Sequence, residues 1–104
     1  MTRNQRILNT FDAQHGSGGD YGSVSVGTTA TQVIPASDDR LGFLIQNGSS
    51  GTPVYIGFDS NVTAGNGVIL PAPNGIYTDE TYTGDVYVIA GSSGTDVRYQ
   101  EITR

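Results

Sequence analysis

From Tyr21 to the last residue, short runs rich in β-branched and aromatic residues alternate with turn residues every 8–12 positions, which is the spacing of a sandwich or barrel. No segment shows the 3.6-residue period of an amphipathic helix. The runs are 22–26, 32–35, 41–47, 53–58, 68–71, 75–78, 85–90 and 96–102, separated by turn residues, chiefly glycine, proline, asparagine, aspartate and serine. Alternation within them separates an inner from an outer face. Leu41, Phe43 and Ile45 oppose Gly42, Leu44 and Gln46; Val54, Ile56 and Phe58 oppose Tyr55 and Gly57; Val86, Val88 and Ala90 oppose Tyr87 and Ile89; Val97 and Tyr99 oppose Arg98 and Gln100. The expected fold is all-β: a β-sandwich or jelly-roll-like barrel of about seven or eight short antiparallel strands, with an extended N-terminal arm.

Turn chemistry supports the same divisions. Asn47-Gly48, Asn66-Gly67 and Asn74-Gly75 are Asn-Gly pairs, which tolerate the positive φ of tight turns. Asp59-Ser60-Asn61 reads as an Asx turn, and Pro71-Ala72-Pro73 stops the strand before it because proline cannot donate to the ladder. Gly91-Ser92-Ser93-Gly94 predicts a hairpin between the last two strands.

Residues 1–20 differ from the rest. Apart from Met1, their only large apolar residues are Ile7, Leu8 and Phe11, and a polar tract from Gln14 to Asp20 follows. This reads as an arm and a hinge before a single domain over residues 21–104, either a docking arm with Ile7-Leu8-Asn9-Thr10-Phe11 as its apolar anchor or a frayed terminus. Fully extended, twenty residues reach at most about 70 Å, far enough to lie on a neighbouring subunit. The two arginines near the start are followed by no apolar run, so neither a signal peptide nor a membrane span is expected.

The chain of 104 residues is 36% hydrophobic and contains no cysteine and one histidine, so its core is thin, with no disulfide and no multi-histidine metal site to reinforce it. A domain this small buries only roughly 60–65% of the surface its unfolded chain exposes, which makes oligomerisation the expected additional source of stability. A net charge of −5 opposes nucleic-acid binding. All five basic residues are arginine (Arg3, Arg6, Arg40, Arg98 and Arg104), the cation favoured at protein interfaces.

Catalytic signatures are weak. His15 sits in a glycine- and serine-rich tract that does not hold a triad histidine. Asp38-Asp39 and Asp79-Glu80 are adjacent carboxylates, which on a strand point to opposite faces and in a loop are solvated. Asp59 and Asn61 offer oxygens at alternating positions, yet lack the glycine and distal glutamate of an EF-hand. Tyr55, Tyr77, Tyr82, Tyr87 and Tyr99 are read either as a sugar-stacking platform or as cross-strand packing with wet hydroxyls, the second being favoured. No enzyme activity, cofactor or metal is expected.

Residues 33–36 (Val-Ile-Pro-Ala), 40–47 (Arg-Leu-Gly-Phe-Leu-Ile-Gln-Asn), 54–59 (Val-Tyr-Ile-Gly-Phe-Asp), Val62-Thr63, 67–70 (Gly-Val-Ile-Leu) and 82–90 (from Tyr-Thr-Gly-Asp to Val-Ile-Ala) together resemble small virion structural proteins of tailed bacteriophages, over residues 31–102. The resemblance implies an all-β capsid decoration (cement) protein. It would be made in the host cytoplasm, carried on the capsid surface as a homotrimer, and bound to the major capsid protein or other virion proteins. The alternatives are a tail, neck or fibre component, or a carbohydrate- or receptor-binding module. Expected partner contacts, read from the residues themselves, are Arg3, Arg6, Ile7, Leu8 and Phe11 in the arm and Arg40 and Arg98 on the domain.

Overall fold

The computed structural model describes residues 16–104. It has eight strands: β1 (Gly18–Val26), β2 (Thr31–Ile34), β3 (Arg40–Asn47), β4 (Val54–Gly57), β5 (Val68–Leu70), β6 (Ile76–Asp79), β7 (Val86–Ala90) and β8 (Thr95–Thr103). Each coincides with one of the eight sequence runs to within a few residues, except that β1 starts at Gly18 and so takes in the end of the expected hinge.

The strands form two four-stranded sheets, ordered β1-β8-β3-β6 and β2-β7-β4-β5, with every pairing antiparallel. First therefore pairs with last, second with seventh, third with sixth and fourth with fifth. A long antiparallel ribbon doubled on itself and wrapped around a core produces this order, which is the jelly roll. The expected β7–β8 hairpin is not formed: β7 pairs with β2 and β4, β8 pairs with β1 and β3, and Gly91–Gly94 carries the chain from one sheet to the other. Gly94, at φ 72°, supplies the left-handed residue of that crossing. A short glycine-rich loop fits a hairpin and a sheet-to-sheet crossing equally well, because local turn chemistry carries no information about which strand lies alongside.

Alternation places the core as expected on the central strands. Phe43, Ile45, Val54, Ile56, Val86, Val88, Ala90 and Val97 are all buried and belong to one apolar cluster. Burial of each valine, isoleucine or phenylalanine among them contributes roughly 1.5–3 kcal/mol. Two bulges break the alternation. One lies between Gln32 and Ile34 and lets the consecutive Val33 and Ile34 both face inward. The other, between Arg40 and Gly42, turns Arg40 inward alongside Phe43, although the two lie three positions apart and strict alternation would put them on opposite faces. Leu41 is displaced from the inner row that its sequence parity predicts and lines a surface concavity.

Arg40 is thus not the surface contact expected of it; its side chain is fully buried. Its Nε donates to Glu101 Oε2 at 2.8 Å, one terminal nitrogen donates to the carbonyls of Tyr82 and Gly84, and the other donates to the carbonyl of Pro35 at 2.6 Å. The guanidinium also lies 5.4 Å from the centre of the Phe43 ring. One side chain therefore joins β3 and β8 in the first sheet to the end of β2 in the second and to the β6–β7 loop between them.

The opposite end of β3 is closed in the same way. Asn47 is completely buried; its side-chain nitrogen donates to the carbonyls of Thr52 and Leu70, and its side-chain oxygen accepts from the Ser49 amide. It is a strand residue bridging the sheets, and among the three Asn-Gly pairs only Asn74 has a positive φ. The two pins lie about 24 Å apart along β3.

Removing Arg40 leaves the Glu101 carboxylate and three carbonyls without their donor. Arg40→Met is expected to lower unfolding stability by about 3–5 kcal/mol. Arg98→Met, which breaks only the exposed 3.0 Å pair with Asp96, is expected to cost less than about 0.5 kcal/mol. Urea denaturation followed by circular dichroism measures both, and equal costs would contradict the assignment.

Candidate binding surfaces

The polar and aromatic groups of interest fall on the outer faces of the sheets and at the ends of the sandwich. On the first sheet, register aligns Tyr21, Gln100, Leu44 and Thr78 in one outward row and Ser23, Arg98, Gln46 and Ile76 in the next. Tyr21, Gln100 and Leu44 of the first row and Ser23, Arg98 and Gln46 of the second line a shallow open trough. Tyr21 is 80% exposed, and Ile76 and Ile102 are 53% and 45% exposed, so apolar side chains stand in solvent along this face. Arg98, an expected contact residue, lies on it with its guanidinium held by Asp96.

On the second sheet, Ile69, Tyr55 and Ile89 form an outward row across β5, β4 and β7, with Ile69 61% exposed. Tyr87 lies on the same face in the adjacent row, opposite Gly57 and Gln32. Of the five tyrosines singled out, Tyr55 and Tyr87 face outward, whereas Tyr77, Tyr82 and Tyr99 pack against the core. The Tyr82 hydroxyl donates to the Asp85 carbonyl at 2.8 Å, and its ring stacks on Phe58 with centroids 3.8 Å apart. The Tyr99 hydroxyl donates to Asp20, and that of Tyr77 to Asp79. The five therefore do not make one platform. Phe58 lies beyond the end of β4 and is partly exposed rather than in the inner row its parity predicts.

The carboxylates serve turns. Asp59 Oδ1 accepts the Asn61 amide at 2.9 Å, which is the expected Asx turn. Asp79 Oδ1 accepts the amides of Thr81 and Tyr82 and the Thr81 hydroxyl, while Oδ2 accepts from Tyr77. The Thr81 amide is the largest of several donors that hold the Asp79 carboxyl below its ordinary range, against a smaller opposing effect of burial. Burial raises the hydroxyl pKa of Tyr77, Tyr82 and Tyr99, reinforced by neighbouring carboxylates. Asp85 Oδ1 accepts from Gln32 Nε2 and from the Ala36 amide, both at 2.8 Å. Both oxygens of the Asp79 carboxylate are thus engaged, one by its own turn and the other by Tyr77. Arg3, Arg6, Ile7, Leu8, Phe11 and His15 lie outside the described residues.

Alternation in the sequence foretold the outward Tyr55, Tyr87 and Arg98, but not the rows they join, since those depend on which strands are neighbours. Compared with protein-family models, curated proteins and solved structures, the chain matches none.

A carboxyl held below its unfolded pKa contributes stability that is present above that value and lost as pH falls through the folded one. The Asp79 contribution is therefore complete above its ordinary value of 3.8 and disappears at more acid pH. The three tyrosines behave oppositely: their contribution is intact below pH 10.0 and lost as pH rises past it. Denaturation midpoints across the pH range are expected to fall at both extremes. Asp79→Asn, which keeps an accepting oxygen but cannot titrate, should flatten the acid limb and, by removing the carboxylate beside Tyr77, lessen the alkaline loss as well; an unchanged acid limb would refute this role.

Proposed function

We propose that this chain is a virion structural protein of a bacteriophage, most specifically a capsid decoration protein whose symmetric copies bind the assembled shell and stabilise it. The observation that carries the reading is how polar and apolar groups are divided between inside and outside. The buried polar residues Arg40, Asn47 and Thr95 spend their hydrogen bonds within the fold. Large apolar side chains such as Tyr21, Ile69 and Ile76 are left in solvent on opposite faces. Such an arrangement suits meeting other chains on several sides at once.

Two further points agree with it. The likeness of residues 31–102 to phage virion proteins rests on their strand-and-turn pattern, and jelly rolls also build viral capsid and lectin domains, an analogy of architecture alone. Contacts that exist only on the assembled particle stabilise that state by mass action, and a lattice of many modest contacts retains its ligand tightly. In this reading Arg98, the outward apolar rows and the arm residues Arg3, Arg6, Ile7, Leu8 and Phe11 meet the major capsid protein or a neighbouring copy, and a trimer is the expected assembly.

A glycan- or receptor-binding module on a tail, neck or fibre part is the second reading. The exposed Phe58, whose ring stacks on Tyr82, favours it, as does a separate small concavity lined by its chain neighbours Gly57 and Asp59 with Asn61, Val62 and Asn66. Exposed aromatic, amide and carboxylate side chains are the groups that contact sugars.

Cryo-electron microscopy of purified virions, labelled with an antibody fragment against residues 16–104, is expected to show the chain in symmetric copies on the outer capsid surface. Label confined to the tail or absent from particles would refute decoration. Glycan-array binding abolished by Phe58→Ala would favour the second reading.

A further inference from the structure

Two adjoining concavities on the first sheet's outer face form one groove near the end where β1 begins. The larger, about 530 Å³, is lined by Asp38, Leu41, Gly42, Glu80, Ile102 and Arg104. The smaller shares Gly42, Glu80 and Ile102 with it and extends to Leu44, Thr78 and Gln100. Gly42 forms the floor: it is buried, and a Cβ there would come within 3.2 Å of the Asp79 carbonyl, a tight contact that a side chain could make only by displacing its neighbour. Leu41, Leu44 and Ile102 provide apolar walls. Among the described residues, two carboxylates, Asp38 and Glu80, line the groove with Arg104, while the charge of Arg40 is met by Glu101.

The chain enters the described region beside this groove. The Ser17 amide donates to the Thr103 carbonyl, and Gly16 rests directly on the Ile102 side chain, so closely that no Cβ fits between them. Ile102 points outward, so at Gly16 the chain has already turned over the outer face of β8. The fifteen residues before it hold Arg3 and Arg6 against a single acid, Asp12, for a net charge of +1; residues 16–104 hold nine of the ten acids and three arginines, for a net charge of −6.

We infer that this groove is the docking site of the chain's own N-terminal segment, with Phe11, Leu8 and Ile7 against its apolar walls and Arg6 and Arg3 toward Glu80 and Asp38. Reach favours the same molecule over a neighbour. Five residue steps from Gly16 to Phe11 span up to about 17 Å, whereas β8 and β6 are two strand spacings apart, about 10 Å. A segment tethered so close is present at an effective concentration on the order of millimolar. The inference concerns the free chain and goes beyond the proposed function; any shell contact made by these arm residues follows their release.

The absence of native cysteine makes a single introduced thiol a unique attachment point. Asn9→Cys carrying a nitroxide spin label, in the full chain, is expected to cause loss of amide signal intensity at Leu44, Thr78 and Glu80, on the far side of the groove from Gly16. The loss should disappear in Asp38→Lys/Glu80→Lys and in Phe11→Ser. It should persist when labelled protein is diluted with a large excess of unlabelled, isotope-silent chain. Intensity loss confined to residues around Gly16 would overturn the proposal. So would loss seen only when the label and the observed nuclei are on different copies, which would assign the groove to a second chain.

Discussion

The Arg40 guanidinium is the point on which both sheets converge. A sandwich this small has few large side chains to offer its interior, and the buried cluster is built mostly of valine and isoleucine with Phe43 as its one phenylalanine. Such a core gives cohesion without much direction, since apolar burial does not by itself specify how one sheet sits on the other. Direction comes from hydrogen bonds whose failure would be expensive. A buried guanidinium with an ion-pair partner and three carbonyl acceptors admits one arrangement of the surrounding backbone, and any sliding of the sheets leaves it unsatisfied.

Asn47 repeats the arrangement with a neutral side chain at the other end of the same strand. One pin would allow the sheets to pivot; two, at opposite ends of β3, fix their relative rotation as well. The Asp79 and Asp59 turns, and the long-range bonds of Asp85 to Gln32 and the Ala36 amide, then organise the connecting loops, so that carboxylates which resemble chemical groups by type are taken up in shaping backbone. What remains for other molecules lies on the outside, where Tyr21, Ile76 and Ile102 on one sheet and Ile69 and Tyr55 on the other form rows that only the three-dimensional order of strands creates.

Most of the architecture could be read from residue pattern, and the failures have identifiable causes. Strand positions followed from alternation and turn chemistry, both of which are local. The inward position of Asn47 was also implied, since it shares parity with Phe43 and Ile45, but its place before glycine drew attention to the turn instead. Arg40 was misread because a single-residue bulge reverses the face on which it lies, and no feature of the sequence marks that bulge. The β7–β8 crossing was misread because loop composition does not say whether the next strand returns beside the last or joins the facing sheet. Surface features suffered most: Tyr82 and Tyr87 look alike in sequence, yet one is bonded into the fold and the other stands on an outer face.

The claim that the β3 pins make the two sheets one cooperative unit is tested most directly by residue-resolved native-state hydrogen exchange. The account predicts that the slowest amides of β8 and β3 in one sheet and of β7 and β4 in the other share a single opening free energy, equal to that of global unfolding. Measurably freer exchange throughout β7 and β4 than in β8 and β3 would show that the sheets open independently, and would contradict it.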